Sequence, residues 1–121
     1  MESIEAMRVR LLADTTVSNL LNDRIYYRYT PAGVDFPTVN LTPISTSAMA
    51  TLSGEASNVN RDRIQVDIWA ETLAEVTPAA AAVSASLLSA STFKAVHLET
   101  NHGADDNNGL VRVQIDFAVW I

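Results

Sequence analysis

His97, Glu99 and His102 fall within HLETNH, the first spacing in the chain that invites chemistry, because two imidazoles and a carboxylate are a zinc-type donor set. On a strand His97 and Glu99 would share a face, while His102 falls in the turn that follows, and no further ligand is at hand. A metal site is therefore not expected. NHGADDNNG is rich in oxygen donors, but a calcium loop built around Gly109 would put Ala104 at its first ligand position, so a solvated turn is expected. Ser91-Thr92-Phe93-Lys94 has the S-x-x-K form without its S-D-N and K-T-G companions. There is no G-x-S-x-G, no phosphate-binding glycine loop and no H-E-x-x-H, and four glycines offer little for a nucleotide cradle. No catalytic residue, cofactor or metal is expected.

The elements around these residues read more clearly than the chemistry. Ser3 to Leu21 carries Ile4, Met7, Leu11, Leu12, Val17, Leu20 and Leu21 near helical spacing, as one amphipathic helix or two, with Asp14, Thr15 and Thr16 at the break. Ile25 to Tyr29 reads as a short strand, and Pro31, Gly33 and Pro37 punctuate a loop. Thr38 to Ser45 is an edge strand or a bulged one, since Pro43 cannot donate to a ladder. Thr46 to Asn60 is polar and aperiodic, which predicts a long loop. Thr72 and Glu75 form a capping box for an alanine-rich helix, which begins either there or at Thr77 with Pro78 in its first turn. Val83, Leu87 and Leu88 are expected to face inward. Thr92 to Thr100 is a strand, and NHGADDNNG a turn-rich connection to the last one.

Two segments nearly repeat each other: RIQVDIW (Arg63 to Trp69) and RVQIDFAVW (Arg112 to Trp120). In each, apolar residues hold one parity and polar residues the other, the pattern of a half-buried strand. Antiparallel pairing with Gln65 opposite Gln114 sets Arg63 against Asp116 and Asp67 against Arg112. Parallel pairing would oppose like charges. With a right-handed crossover through the alanine-rich helix, the order becomes 38 to 45, 62 to 69, 111 to 121, 92 to 100. The expected fold is α+β: a single antiparallel or mixed sheet of about four to five strands, with two main helices packed on one face. Trp69 and Trp120 then belong to the uncovered face, as parts of a subunit interface or beneath a folded-back loop.

Composition narrows the function. The 121 residues suit a single domain, and the absence of cysteine excludes disulfides and thiolate metal sites. With 14 acidic against 8 basic side chains the formal charge is −6, opposite to a basic phosphate-gripping footprint. The charged start excludes a signal peptide, and no apolar run approaches the roughly 18 residues of a membrane span, so a soluble protein made in the cytoplasm is expected.

The leading helix with its LLAD segment, the block DRIYYRYTPAGVDFPTVNL (Asp23 to Leu41), RIQVDIWAETLAEV before the alanine-rich helix, and the terminal VRVQIDFAVWI together resemble the tail-completion, or tail-terminator, proteins of long-tailed bacteriophages and gene transfer agents. The likeness spans nearly the whole chain and lies in the order of strands and turns; Pro78 and the Thr46 to Asn60 insertion depart from it. It implies a structural virion protein, not an enzyme, made in the host cytoplasm and placed at the head-proximal end of the tail. There it would form a homo-oligomeric, hexameric ring that caps the major tail-tube protein, ends tube polymerisation and joins the head-tail connector or stopper protein. DNA would pass through the lumen without specific binding, and no membrane is involved. Trp69, Trp120 and the Thr38 to Ser45 edge are expected at the ring flanks. Met49, Leu52 and Glu55 of the long loop are expected on the tube. Two rivals stand beside this: a head-side connector or stopper subunit of the same joint, and a small ligand-binding α/β domain built on His97, Glu99 and His102.

Overall fold

The computed structural model describes residues 2–50, 56–105 and 107–120, excepting the side chains of 48–50 and 56–59. Two helices lead the chain, α1 (Glu2–Ala13) and α2 (Thr15–Leu21). They part at Asp14, whose extended backbone and side chain cap α2 by accepting from the amides of Thr16 and Val17 at 2.9 and 3.2 Å. Strands β1 (Ile25–Tyr27), β2 (Thr38–Ala50) and β3 (Ala56–Ala70) follow, then α3 (Leu73–Leu88), β4 (Lys94–Asp105) and β5 (Leu110–Trp120).

One five-stranded mixed sheet runs β1-β2-β3-β5-β4. Its order is the one the repeated segments imply, with β1 added in parallel along Val39 to Leu41 of β2. The last strand inserts between β3 and β4, antiparallel to both. Helices α1 and α3 pack on one face of the sheet, and α2 packs against both of them. Ile4, Met7 and Leu11 of α1, with Val76, Ala79, Val83 and Leu87 of α3, close over the even-numbered side chains of β3 and the odd-numbered ones of β5. Phe117 is fully buried there, a position worth about 1.5–3 kcal/mol.

Several expectations need correction. Thr46 to Asn60 is not a long loop: β2 runs on to Ala50 and β3 starts at Ala56, forming a long antiparallel hairpin in which Ser45, Thr46, Ser47, Asn60 and Arg61 are exposed. Pairing satisfies the backbone of small polar residues that show no periodicity of their own. NHGADDNNG likewise continues β4 through Asp105, and Asp105 closes the turn by accepting from the Asn107 amide at 3.0 Å and the Asn108 side chain at 2.9 Å. Gly109 supplies the positive φ of 69° before β5 begins.

The third helix starts at Leu73 under the Thr72 cap, leaving Pro78 inside it. Leu88 is exposed, because it lies one residue past the stripe Val76, Ala79, Val83, Leu87 that meets the sheet. Finally, the Thr38 to Ser45 margin is only partly open, since β1 covers Val39 to Leu41.

Candidate functional site

The sheet face opposite the helices carries the sequence's polar parity in ordered rows. Across β2, β3, β5 and β4 one row reads Thr42, Gln65, Asp116, Glu99, the next Asn40, Asp67, Gln114, Asn101, and a third Thr38, Trp69, Arg112, Gly103. Toward the other end come Ser45, Arg63, Ala118, Val96, then Ser47, Arg61, Trp120, Lys94.

The pairing of β3 with β5 differs from the expected register by two residues. Gln65 faces Asp116, Asp67 faces Gln114 and Trp69 faces Arg112, in place of Gln65 opposite Gln114. A shift of two keeps every side chain on its own face, so polarity alone cannot separate the registers. In the expected register Trp69 and Ala70 would have faced Leu110 and Gly109, at the mouth of the hairpin turn. The observed one gives every residue from Arg61 to Ala70 a partner within β5 and sets Ile64 against Phe117. Burial worth kilocalories per side chain outweighs cross-strand polar pairs worth about 0.2–1 kcal/mol each.

Several polar groups find partners within that register, whereas Thr38 Oγ1 and Arg112 Nε are buried without a hydrogen-bond partner among the described residues. Arg63 reaches diagonally to Asp116, Nη2 to Oδ2 at 2.9 Å. Arg63 is half-exposed while Asp116 is buried, so solvent still screens the pair from the arginine side and limits it to about 1 kcal/mol. Asp67 accepts from Gln65 at 2.9 Å and from Gln114 at 3.1 Å, one bond on each oxygen. Arg112 stands opposite Trp69, not Asp67, and lies over its ring at 5.4 Å, with Gly103 leaving room beside its guanidinium. Trp69 and Trp120 are both partly exposed on this face, at opposite ends of it. Met49 lies in β2, whereas Leu52 and Glu55 fall outside the described residues.

The HLETNH cluster is taken apart. A register break between His97 and Glu99 turns Glu99 to the open face opposite Asp116, while His97 and His102 take the parity of Phe117 and Val113. His102 sits in β4, not in the turn. His97 bonds Thr100 Oγ1 at 2.6 Å and meets Phe117 edge-on at 6.2 Å. Among the described residues no three His, Cys, Asp or Glu side chains gather as metal ligands.

Sequence reasoning missed an open cleft of about 830 Å³ on the same face, between the Arg28 to Phe36 loop and the β4–β5 turn, with Asn40 and Trp69 among its walls. Arg28, at φ 66°, lies over the Tyr27 ring at 5.1 Å, and Thr30 donates to Asn40 at 2.7 Å, holding the loop over the sheet. The Pro and Gly punctuation marked this segment as a loop; only the fold brings it beside residues some seventy-five positions away.

The fold and this face define an α+β protein with one helix-covered sheet face and one lined by rows of polar groups and two tryptophans, with no cluster of metal-ligating side chains among the described residues. Residues 5–121 match the family described as "Tail completion protein gp17", and the chain belongs to that family. Membership makes it a structural protein of phage-type tails. Among solved structures, a chain of the "Virion of native gene transfer agent (GTA) particle" shares the fold with a TM-score of 0.75 at 21% identity, covering 97% of this chain and 92% of that one. No curated protein matches in sequence.

Proposed function

We propose that this chain is a tail terminator: a single domain whose copies close into a hexameric ring, cap the tail tube, end its polymerisation and offer the other side of the ring to the head connector or stopper. It is made in the host cytoplasm and sits at the head-proximal end of the virion tail. The family match over nearly the whole chain carries this reading. The physics agrees with it: closed rings form from heterologous contacts between two different flanks of one subunit, and the sheet has two open margins. Trp69 and Trp120, on the inner strands with the polar rows between them, form a contact face toward the tube that is separate from those margins, and the β2–β3 hairpin docks on the tube. No chemistry is required of any residue.

Co-expression with the major tail-tube protein tests the reading. Capped tubes of restricted length and co-purification with tube protein are expected. Binding to the head-side partner alone, with tubes growing unchecked, would make the chain a stopper instead. Deleting Ala50 to Ser57 should preserve the circular dichroism spectrum and abolish tube binding; normal capping by that variant would remove the hairpin from the interface. His97→Ala should assemble normally.

A further inference from the structure

Two irregularities stand at opposite margins of the sheet. Register breaks between Pro43 and Ser45 in β2, and between His97 and Glu99 in β4, leaving Ile44 and Leu98 without a partner residue in the ladder. The breaks are level with each other: Pro43 faces Ile64, Ile64 faces Phe117, and Phe117 faces His97. At each, a large apolar side chain stands in solvent, Ile44 48% and Leu98 50% exposed. Val96, two residues before Leu98, is exposed as well.

Both margins are open at this level. Strand β1 covers β2 only from Val39 to Leu41, and among the described residues nothing pairs with the outer side of β4. Open edges are normally blunted by charge, proline or a bulge, which prevents unlimited ladder growth. Pro43 does this on β2. Val39 N donates to Arg24 O and Leu41 O accepts from the Arg28 amide, both away from β3, so by alternation Pro43 turns its missing N–H outward. Blunting of the backbone would be complete with charged side chains at the bulges. Two apolar ones stand there instead.

We infer that Ile44 of one copy packs against Leu98 of the next, so that the β2 margin and the β4 margin form the subunit joint; this rests on the ring reading above. Strand β4 runs antiparallel to β2, so copies set side by side in the same sense meet as antiparallel neighbours. Because the two bulges share a row, the operation relating neighbours needs little translation along the strands, which is compatible with a heterologous contact that closes into a ring about an axis along them. No residue from Thr38 to Ala50 is charged, so nothing on that side repels Lys94 or Glu99 beside Leu98. The apolar pair sets the register, and the bulges keep the joint from extending into an indefinite ladder.

The chain has no cysteine, which makes a direct test clean. Within one copy, positions 44 and 98 are separated by three strand spacings, about 14 Å, twice the roughly 7 Å Cα limit of a disulfide. Any bond in the Ile44→Cys/Leu98→Cys double variant therefore joins copies. Under mild oxidation in the presence of tail tubes, a ladder of covalent oligomers ending at the closed ring is expected. Mixing the two single variants should give dimers only, and each alone should give none. A ring-sized assembly in which the double variant stays reduced overturns the joint and leaves the terminator reading standing. Absence of any multimer, even with tubes, overturns both. As a second readout, Ile44→Lys should weaken self-association at least tenfold with an unchanged thermal melt; undiminished association overturns the joint.

Discussion

At the scale of single residues, the side chains that do local work are those that meet backbone groups. Asp14 ends one helix and begins another, and its removal leaves the first amides of α2 without an acceptor. Burial acts to raise its carboxyl pKa, but the neighbouring Ser86 hydroxyl, the amides of Val17 and Thr16, and the Arg10 guanidinium together hold it below the ordinary 3.8. A depressed carboxylate stabilises the fold above its unfolded-state pKa and loses that contribution as pH falls through the folded value. Asp14→Ala should therefore cost about 1 kcal/mol at neutral pH. The gap between the urea unfolding curves of the two proteins should narrow below pH 3.8. Asp14 and Thr72 were legible as caps because capping depends on residues within three positions. Arg112 was not: its stacking partner Trp69 is set by a register that local sequence leaves open.

At the scale of elements, the hairpins and the first helix depend on contacts that periodicity does not announce. Asp62 lies on the helix-covered parity of β3 and is buried, accepting from Ser3 Oγ at 2.5 Å and Thr46 Oγ1 at 2.6 Å. One carboxylate thus ties α1, β2 and β3 together at the end of the core, just before the β2–β3 arms leave it. Ser3→Ala should lower the unfolding free energy by about 1.5–3 kcal/mol, the range for a hydrogen bond to a charged group. Chemical denaturation yielding less than about 0.5 kcal/mol would mean that water replaces the hydroxyl there. The sequence pattern singled out Arg63, Gln65 and Asp67 and passed over Asp62, because a lone carboxylate on the apolar parity signals nothing until its donors arrive from elsewhere.

At the scale of the whole molecule, charge bears on what the protein can hold. A formal charge of −6 opposes retention of DNA, since nucleic-acid affinity comes mainly from cations that release counterions. Filter binding of duplex DNA at about 50 mM salt should show no saturable retention in the micromolar range, where non-specific binders act. Tight binding would contradict the proposal of a ring through whose lumen DNA passes freely. The open sheet face is not featureless toward other partners: Glu99 and Asp116 face each other in one row while Arg63 and Arg61 lie in the rows beyond.

The α+β class, the strand order and the face on which the helices lie were readable from residues alone, because alternation, helical spacing and the handedness of a crossover are local or nearly local constraints. Polarity in the repeated segments also told which faces they share, although it could not tell registers two residues apart. Tertiary structure decided the rest: the register, the lengths of both hairpins, the separation of His97 from Glu99, and the alignment of two bulges on one row. Each of these depends on which distant backbone a residue meets; burial of the apolar face against the helices makes that choice for the register, and backbone pairing extends the hairpin arms beyond it.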